Sequence, residues 1–235
     1  MKFKLLFTLL YIWQINAVLD PLEFHNQTKI PLQEIYEALN YLNKMEQGCD
    51  EDWGSYYHVM SNLIKRFDFK KAVEIGISFG SHCKYILENT NIQKLYGIDP
   101  YKNYGDPTNI QPSDNYFEIF FHKVKNKLEI YNNRFELIRD FSLKAATRFN
   151  NGEIDVAFLD ANHTYEEVLK DLEAWWPKIK MGGILCGDDY ATRHPGVPRA
   201  VNEFFSKKGI NVFLDGPRYF NQSQPRIWIV FKSKE

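Results

Sequence analysis

The sequence contains little cysteine, and its three cysteines stand far apart. Cys49, Cys83 and Cys186 show none of the close spacings of zinc sites, and an odd number of thiols cannot all pair in disulfides. Cys186 also lies in an apolar run that is typical of a core strand. We therefore predict reduced thiols and exclude a disulfide framework.

An excess of either charge is also absent. The 29 Lys and Arg residues are balanced by 30 Asp and Glu residues, the formal net charge is −1, and the basic residues form no block. This balance argues against nucleic acid or an anionic membrane as the partner. We predict no nucleic acid partner and no stable membrane span in the mature domain, and we leave homo-oligomerisation open.

No apolar run is long enough to span a bilayer as a helix. The run Leu5–Trp13 follows two lysines and precedes Ala17, which is the order of a signal peptide. Ile15 stands where a small residue is preferred before cleavage, so an N-terminal helix packed on the domain or on a second subunit is the alternative. We treat residues 1–19 as a leader-like segment. A cytoplasmic protein is expected, with export or membrane association through this segment as the alternative.

Strand and helix patterns alternate along the rest of the chain. Continuous apolar strands separated by helices predict a mostly parallel, doubly wound α/β sheet, which binds ligands at the carboxyl ends of its strands. The predicted strands are Ala72–Ile75, Leu95–Ile98, Phe135–Ile138, Ile154–Leu159, Ile184–Cys186, Val212–Phe213 and Ile227–Val230.

Helix boundaries are indicated by capping residues. Pro31 opens a helical stretch that is followed by a polar turn at 48–52. Ser113 is placed to cap a helix that carries Phe120 and Val124. Thr164 and Glu167 form a capping-box pattern, which predicts a helix through about Trp176.

Two glycines and an acid follow the first two predicted strands. Gly76 and Gly80 allow the backbone to turn tightly and to approach a ligand closely. The dinucleotide fingerprint G-x-G-x-x-G is absent, because position 78 is Ser. Asp99 can accept hydrogen bonds from both hydroxyls of a ribose. The alternative is that the glycines are plain turn residues and Asp99 a solvated acid.

Asp140, Phe141 and Ser142 follow the third strand, where an adenine edge would lie. Phe141 could pack on the adenine ring, although a plain loop Asp140 and a helix-capping Ser142 fit equally.

Acids follow both the fourth and the fifth strands. They are Asp160, Asp188 and Asp189, and His163 lies three residues past the first of them. Carboxylates that converge at neighbouring strand ends repel one another, and Mg²⁺ relieves this repulsion. His163 could reach the same point as a general base. The alternative is a set of helix-capping acids and a structural histidine.

The spacing Glu74-x-Gly76-x-x-x-Gly80 resembles motif I of class I S-adenosylmethionine-dependent methyltransferases. Several other stretches are similar to the small-molecule group labelled methyltransferase family 24, which is related to metal-dependent small-molecule O-methyltransferases. These stretches are Ile98–Tyr101, Ile154–Glu166, Asp171–Trp176, Gly182–Ile184 and Pro195–Val201. The resemblance covers roughly Gly54 to Phe231.

This resemblance implies a Rossmann-like sheet of seven strands with the last strand antiparallel, and S-adenosylmethionine as cofactor. The residues that it assigns to the cofactor are Glu74 at the methionine end, Gly76 and Gly80 along it, Asp99 at the ribose, Ser142 or its neighbours at the adenine, and Asp160.

The same resemblance implies a metal. Catechol-type and macrolide-sugar O-methyltransferases hold Mg²⁺ through an acid after the fourth strand and two polar residues after the fifth. Asp160, Asp188 and Asp189 match those positions, and His163 matches the catalytic base. Many relatives carry His-Asp where this chain has Asp188-Asp189, and the departure leaves the use of metal a hypothesis.

We therefore predict an S-adenosylmethionine-dependent methyltransferase that methylates a small-molecule hydroxyl with Mg²⁺. A hydroxylase-like enzyme on the same scaffold, similar to the cephalosporin hydroxylase branch, and a non-catalytic cofactor-binding protein are the alternatives. Residues 20–70 are expected to supply N-terminal helices to the acceptor pocket together with the loop 101–112. Residues 71–235 are expected to form the methyltransferase domain.

Overall fold

The computed structural model describes residues 19–53, 56–102, 113–215 and 226–233, without the side chains of 49–53. The described residues form two compact units. One unit lies within Met1–Cys49 and Tyr101–Tyr131, and the other within Asp50–Pro100 and Asn132–Glu235. The predicted leader up to residue 18 and the predicted pocket loop from residue 103 to 112 lie outside the described residues.

The second unit is built on one seven-stranded sheet. Its strands are β1 (Lys71–Ile75), β2 (Lys94–Ile98), β3 (Phe135–Ile138), β4 (Ile154–Leu159), β5 (Ile179–Gly187), β6 (Phe213–Leu214) and β7 (Trp228–Phe231). The strand order is β3-β2-β1-β4-β5-β7-β6. Strands β1 to β5 pair in parallel, whereas β7 is antiparallel to both β5 and β6. The predicted Rossmann-like sheet with an antiparallel last strand is thereby confirmed.

The helices are α1 (Pro21–Thr28), α2 (Leu32–Trp53), α3 (His58–Phe67), α4 (Ser81–Asn89), α5 (Asp114–Leu128), α6 (Ser142–Ala146), α7 (Tyr165–Trp175) and α8 (Gly196–Ser206). Within the described ranges, no helix is both long and apolar enough to cross a membrane.

Burial explains why the central strands are apolar. All six residues of β4 are buried, and side chains of α7 and α8 such as Leu172 and Val201 pack with β4 and β5 in one core cluster. Asp155 is the charged member of β4, and its Oδ2 accepts hydrogen bonds from the backbone N–H groups of Lys70 (2.6 Å) and Lys71 (2.8 Å). A buried carboxylate is tolerated where such donors surround it.

The first unit contains α1, α5 and α2 as far as Cys49. Asp20 caps α1 by accepting from the Leu22 N–H at 2.8 Å. Glu46 of α2 accepts from Lys127 of α5 at 2.6 Å and also from Lys123. These ion pairs join the two helices on one side.

One helix boundary predicted from the sequence is wrong. The expected polar turn at 48–52 is absent, because α2 continues to Trp53. A glycine inside a helix costs only about 1 kcal/mol relative to alanine. Gly48 therefore weakens this helix without ending it.

The thiols of the second unit are as predicted. Cys83 and Cys186 are free and buried, and Cys186 lies on β5 beside β4, where its Sγ contacts the Ala157 carbonyl oxygen at 3.3 Å. The side chain of Cys49 lies outside the described part of the chain.

Candidate active site

The loop between β1 and α4 depends on two glycines in the left-handed backbone region. Gly76 has φ +86° and Gly80 has φ +69°, and Ser78 between them has φ +45°. The Gly80 N–H donates to the Ile77 carbonyl oxygen at 2.7 Å, and Gly80 is the N-cap of α4. Glycine adopts such angles at little cost. The motif spacing therefore corresponds to a tight turn that leads into a helix.

Gly76 also lies directly against the end of β4. A β-carbon built on Gly76 would stand 1.8 Å from the carbonyl oxygen of Asp160 and 2.9 Å from the Cα of Ala161. The Gly76 N–H donates to the Ile98 carbonyl oxygen, and the Asp160 N–H donates to that of Ile75, both at 2.8 Å. The carboxyl ends of β1, β2 and β4 are thus fastened to one another, with no space for a side chain at position 76.

Asp99 follows β2 and faces the glycine loop. Its Oδ2 accepts a hydrogen bond from the backbone N–H of Ser78 at 3.0 Å. Its own N–H donates to the Ile138 carbonyl oxygen at the end of β3, at 3.2 Å. The glycine loop and the predicted ribose-binding carboxylate therefore share one region of the sheet edge.

Glu74 lies beneath this loop, with only 3% of its surface exposed. Its Oε2 accepts from the Cys83 thiol at 3.0 Å, and its Oε1 lies 3.3 Å from Nδ1 of His82. Burial alone would lower the pKa of His82, but nearby carboxylates, Glu74 first among them, together outweigh burial and raise that pKa. The sequence did not point to His82. Its position directly after Gly80-Ser81, on the first turn of α4, was the available signal.

Ser142 begins α6 and its hydroxyl faces inward. The hydroxyl donates to Oδ1 of Asp171 at 2.5 Å and accepts from Nε1 of Trp175 at 2.9 Å. Its neighbour Phe141 is 47% exposed. The predicted adenine contact stays a prediction, and Phe141 is the more accessible side chain for it.

His163 lies between the loops that follow β4 and β5. Its Nε2 lies 3.0 Å from Oδ2 of Asp189 and 3.4 Å from Oδ1 of Asp160. Asp188 is held beside them, since its N–H donates to the Leu159 carbonyl oxygen at 3.2 Å. The structure thus brings His163 to two of the three predicted metal-binding carboxylates.

The electrostatics of this cluster follow from its excess of carboxylates. Burial alone would lower the pKa of His163, but Asp160 and Asp189 outweigh burial and raise it to about 10. Burial and the charges of the same two carboxylates raise the pKa of Asp188 to about 7. Burial would also raise the pKa of Asp189, but His163 and the other basic side chains around it together outweigh burial and lower that pKa. This end of the sheet therefore attracts positive charge.

Two further side chains, an imidazole and a guanidinium, reach Asp189 from the loop after β5. Nε2 of His194 lies 3.5 Å from Oδ1 of Asp189, and the Arg193 guanidinium lies 3.1 Å from the same oxygen. The His163 and His194 ring centroids are 4.6 Å apart. Sequence reasoning missed His194, and the only available signal was its place five residues past Asp189, before Pro195 at the start of α8.

Gly196 fixes the far end of that loop. A β-carbon on Gly196 would lie 2.4 Å from the His163 carbonyl oxygen and 2.6 Å from the Tyr165 nitrogen. The start of α8 therefore rests on the backbone of the loop that carries His163. Gly196 and the backbone of the loop that carries His163 are thus packed directly against each other.

These residues form two adjoining groups in the second unit. The group of Gly76, Gly80 and Asp99 offers backbone amides and a carboxylate, which suit a nucleoside. The group around His163 and Asp189 offers carboxylates and imidazoles, which suit a cation or a proton in transfer.

Comparisons with known proteins agree with this arrangement. Residues 73–190, about half of the chain, match the sequence model of a family described as a methyltransferase domain. An uncharacterized protein of Acanthamoeba polyphaga mimivirus is 30% identical over 153 residues, which cover 63% of this chain and 66% of the viral protein. The chain thus spans just under two thirds of that relative.

Solved structures share the fold. An O-methyltransferase from Bacillus cereus in complex with SAH is 13% identical, with a TM-score of 0.59, covering 89% of this chain and 96% of that chain. An rRNA methylase from Streptococcus thermophilus is 16% identical, with a TM-score of 0.55, covering 75% and 96%. At such identities the similarity shows the architecture alone.

Proposed function

The chain belongs to the class I S-adenosylmethionine-dependent methyltransferases, in the family described as a methyltransferase domain, and we propose that it transfers a methyl group from S-adenosylmethionine to the hydroxyl of a small molecule. One observation carries the cofactor assignment. The Asp99 carboxylate lies 3.0 Å from the Ser78 nitrogen of the glycine loop, so the groups that would hold a ribose and the methionine half are adjacent.

The proposed cofactor contacts follow the order of the strands. Gly76 and Gly80 would let the backbone approach the cofactor, and Asp99 would accept from the ribose hydroxyls. Glu74 would act at the methionine end from beneath the loop, directly or through water. The α6 start, with Ser142 and the exposed Phe141, would border the adenine.

The reaction itself is a direct displacement. The acceptor oxygen forms a bond to the methyl carbon, the sulfur–carbon bond breaks, and its electron pair remains on sulfur. The hydroxyl proton leaves to a base, for which the sequence predicts His163. Because Asp160 and Asp189 raise the pKa of this imidazole, the role requires a nearby positive charge, from a cation or from the sulfonium, that favours its neutral form. Because the sulfonium carbon is already electrophilic, the protein mainly supplies position and deprotonation.

The proposal also includes a divalent cation, bound by the loops that follow β4 and β5. Such a cation would lower the pKa of the acceptor hydroxyl. The sequence predicts Mg²⁺ on Asp160, Asp188 and Asp189, and the excess of carboxylates there supports a cation in general. If turnover is unchanged after exhaustive chelation, the cation is removed from the proposal and methyl transfer stands.

A second candidate function is an iron-dependent hydroxylase on the same scaffold. It is favoured by the proximity of two imidazoles and one carboxylate, His163, His194 and Asp189, which are the donor types of non-haem iron oxygenases. The mass of the product separates the two reactions. A gain of one methylene supports methyl transfer, whereas a gain of one oxygen supports the hydroxylase.

The cofactor assignment is tested by calorimetry of S-adenosylmethionine with the full chain. We expect micromolar binding by the wild type and a loss of at least tenfold for Asp99→Ala, because a charged acceptor is removed. Glu88→Ala, which removes an exposed carboxylate from α4, should bind like the wild type. Absence of binding by the wild type would overturn the assignment.

The acceptor class is tested with labelled cofactor. Incorporation of the methyl group is compared between phenols and sugars on one side and structured RNA on the other. The near-zero net charge supports the small molecules, and labelling of RNA alone would refute that choice.

A further inference from the structure

The side chains of His163, Asp189 and His194 form a compact group of metal-binding donors. Each offers one ligand atom, and these atoms lie within 4.8 Å of one another. Among the residues that the structure describes, these three side chains are the group whose ligand atoms lie close enough to hold one metal ion. The group is mixed, with two imidazole nitrogens and one carboxylate. It differs from the all-carboxylate set that the sequence predicts.

Each imidazole–carboxylate separation matches that of two donors on one ion. Ligand atoms at about 2.1 Å from a metal are roughly 3.0 Å apart at a right angle and roughly 3.4 Å apart at the tetrahedral angle. Nε2 of His163 and Nε2 of His194 lie 3.0 Å and 3.5 Å from the two oxygens of Asp189. His163 contacts Oδ2 and His194 contacts Oδ1, so the rings have to turn for all three side chains to place a ligand atom on one ion. Both side chains are about one third exposed, so the rings are able to turn.

We propose that His163, Asp189 and His194 bind a borderline divalent metal such as Zn²⁺, Co²⁺ or Fe²⁺ in preference to Mg²⁺. Imidazole nitrogen suits these metals, whereas Mg²⁺ selects oxygen ligands and retains water. The part of this metal in catalysis rests on the proposed function. Its binding does not, since binding needs neither cofactor nor acceptor.

The surrounding charges favour a dication at this trio. Asp160, with Oδ1 3.4 Å from His163, and Asp188 add two carboxylates beside the group. Arg193 opposes the metal, because its guanidinium contacts Asp189. Its side chain is 48% exposed and can turn to solvent when a metal takes that oxygen.

The all-oxygen set is less well arranged for one ion. Oδ1 of Asp188 accepts the backbone N–H of Asp189 at 2.7 Å, and both oxygens of Asp189 face the two imidazoles. With His163 as a ligand, Asp160 becomes the neighbouring carboxylate that is able to take the acceptor proton. The two ligand sets therefore assign opposite roles to His163 and Asp160.

Titration of the metal-free 235-residue chain with Co²⁺ separates the two ligand sets, because the visible absorption of bound Co²⁺ responds to its ligands without any turnover. We expect saturable binding of one Co²⁺, competition by Zn²⁺, and no displacement by a hundredfold excess of Mg²⁺. His194→Ala should weaken Co²⁺ binding at least tenfold, and Asp188→Asn should change it less than threefold. His58→Ala, at an exposed histidine outside the site, should leave it unchanged.

The reverse pattern, loss with Asp188→Asn and retention with His194→Ala, would overturn the proposal in favour of the carboxylate set. Absence of Co²⁺ binding by the wild type would overturn it outright. Folding of each variant is checked by thermal unfolding, and His194→Gln provides a second substitution at the same position. S-adenosylmethionine binding is measured separately, so failure of the methyltransferase assignment is distinguishable from failure of this metal site.

Discussion

The carbonyl oxygen of Asp160 occupies the space in which a side chain at Gly76 would begin, since a β-carbon there would lie only 1.8 Å from that oxygen. This contact joins the cofactor loop to the loop that carries His163. It makes position 76 sensitive to even one added carbon, because backbone atoms cannot move aside as a side chain can.

Gly76→Ala should therefore disable the cofactor loop. We expect at least a tenfold loss of S-adenosylmethionine affinity in calorimetry and a lower unfolding temperature. Gly152→Ala is the matched control, since Gly152 has φ +71° and no atom within 4 Å of an added β-carbon. It should show only the backbone cost of about 1 kcal/mol and normal binding. Equal S-adenosylmethionine affinity and equal unfolding temperature in the two variants would contradict the role of the contact with Asp160.

Phe141→Ala should weaken cofactor binding without loss of stability. Phe141 is 47% exposed beside α6, and stacking on an aromatic ring contributes about 1 kcal/mol, which corresponds to roughly a fivefold change in affinity. Leu143→Ala, two residues away and 41% exposed, is the control and should bind normally. Unchanged affinity in Phe141→Ala would remove this residue from the adenine contact.

Asp171→Asn should stabilise the protein at neutral pH. Burial raises the pKa of Asp171 to about 6, despite the Ser142 hydrogen bond, whereas an unfolded Asp titrates near 3.9. Because the folded-state pKa is raised, protonated Asp171 favours folding at low pH, and this contribution disappears as the pH rises through about 6. The amide keeps an acceptor for Ser142 and carries no charge.

The free energy of unfolding of Asp171→Asn should exceed that of the wild type by a margin that grows between pH 4 and pH 7, to on the order of 2 kcal/mol. Urea denaturation at several pH values measures it. Glu173→Gln, at an exposed position on the same helix, should show no such trend. A difference for Asp171→Asn that does not change with pH would refute this account.

Arg134→Met should destabilise the second unit. The Arg134 guanidinium donates to the carbonyl oxygens of Leu87 (3.0 Å), Thr90 (2.9 Å) and Ile92 (3.2 Å) around the end of α4. Loss of these donors should lower the free energy of unfolding by about 2 to 3 kcal/mol.

The control for Arg134 is Arg148→Met. Arg148 is 50% exposed and forms an ion pair with Glu136, and such surface pairs contribute about 1 kcal/mol or less. Chemical denaturation of both variants gives the comparison. Similar losses of unfolding free energy in the two variants would show that the three hydrogen bonds from Arg134 to carbonyl oxygens stabilise the protein no more than a surface ion pair does.

The sheet could be predicted because the sequence patterns that indicate each strand and helix lie within or beside that element. Buried strands such as β4 are continuous apolar runs, and Ser113 caps α5 as expected by accepting from the Tyr116 N–H at 3.2 Å. Capping was less predictable at α7, where Thr164 makes no side-chain cap and Asn162 instead accepts the Thr164 N–H at 2.8 Å. The amides that a Thr164 cap would satisfy, at residues 166 and 167, receive no hydrogen bond from it. Polar side chains near a helix start can bind several different amides, and spacing alone does not select among them.

The site was predictable only in part for a similar reason. Asp99 and Gly76 follow strand ends, so the parallel sheet brings them together whatever the loop shapes. His194 lies within a loop, and its approach to Asp189 depends on a turn in which the His194 N–H donates to the Ala191 carbonyl oxygen at 3.2 Å. The inward bond from Ser142 to Asp171 likewise depends on packing between α6 and α7.

The glycine at position 196 has a practical consequence for engineering. It seats the first turn of α8 on backbone atoms of residues 163 and 165, while the β5 end is hydrogen-bonded to β4. The stretch 188–195 is therefore held at both ends by backbone contacts that do not depend on its side chains. Exchange of its positions other than Asp188, Asp189 and His194 should alter selectivity while leaving the candidate metal-binding residues and the rest of the scaffold in place.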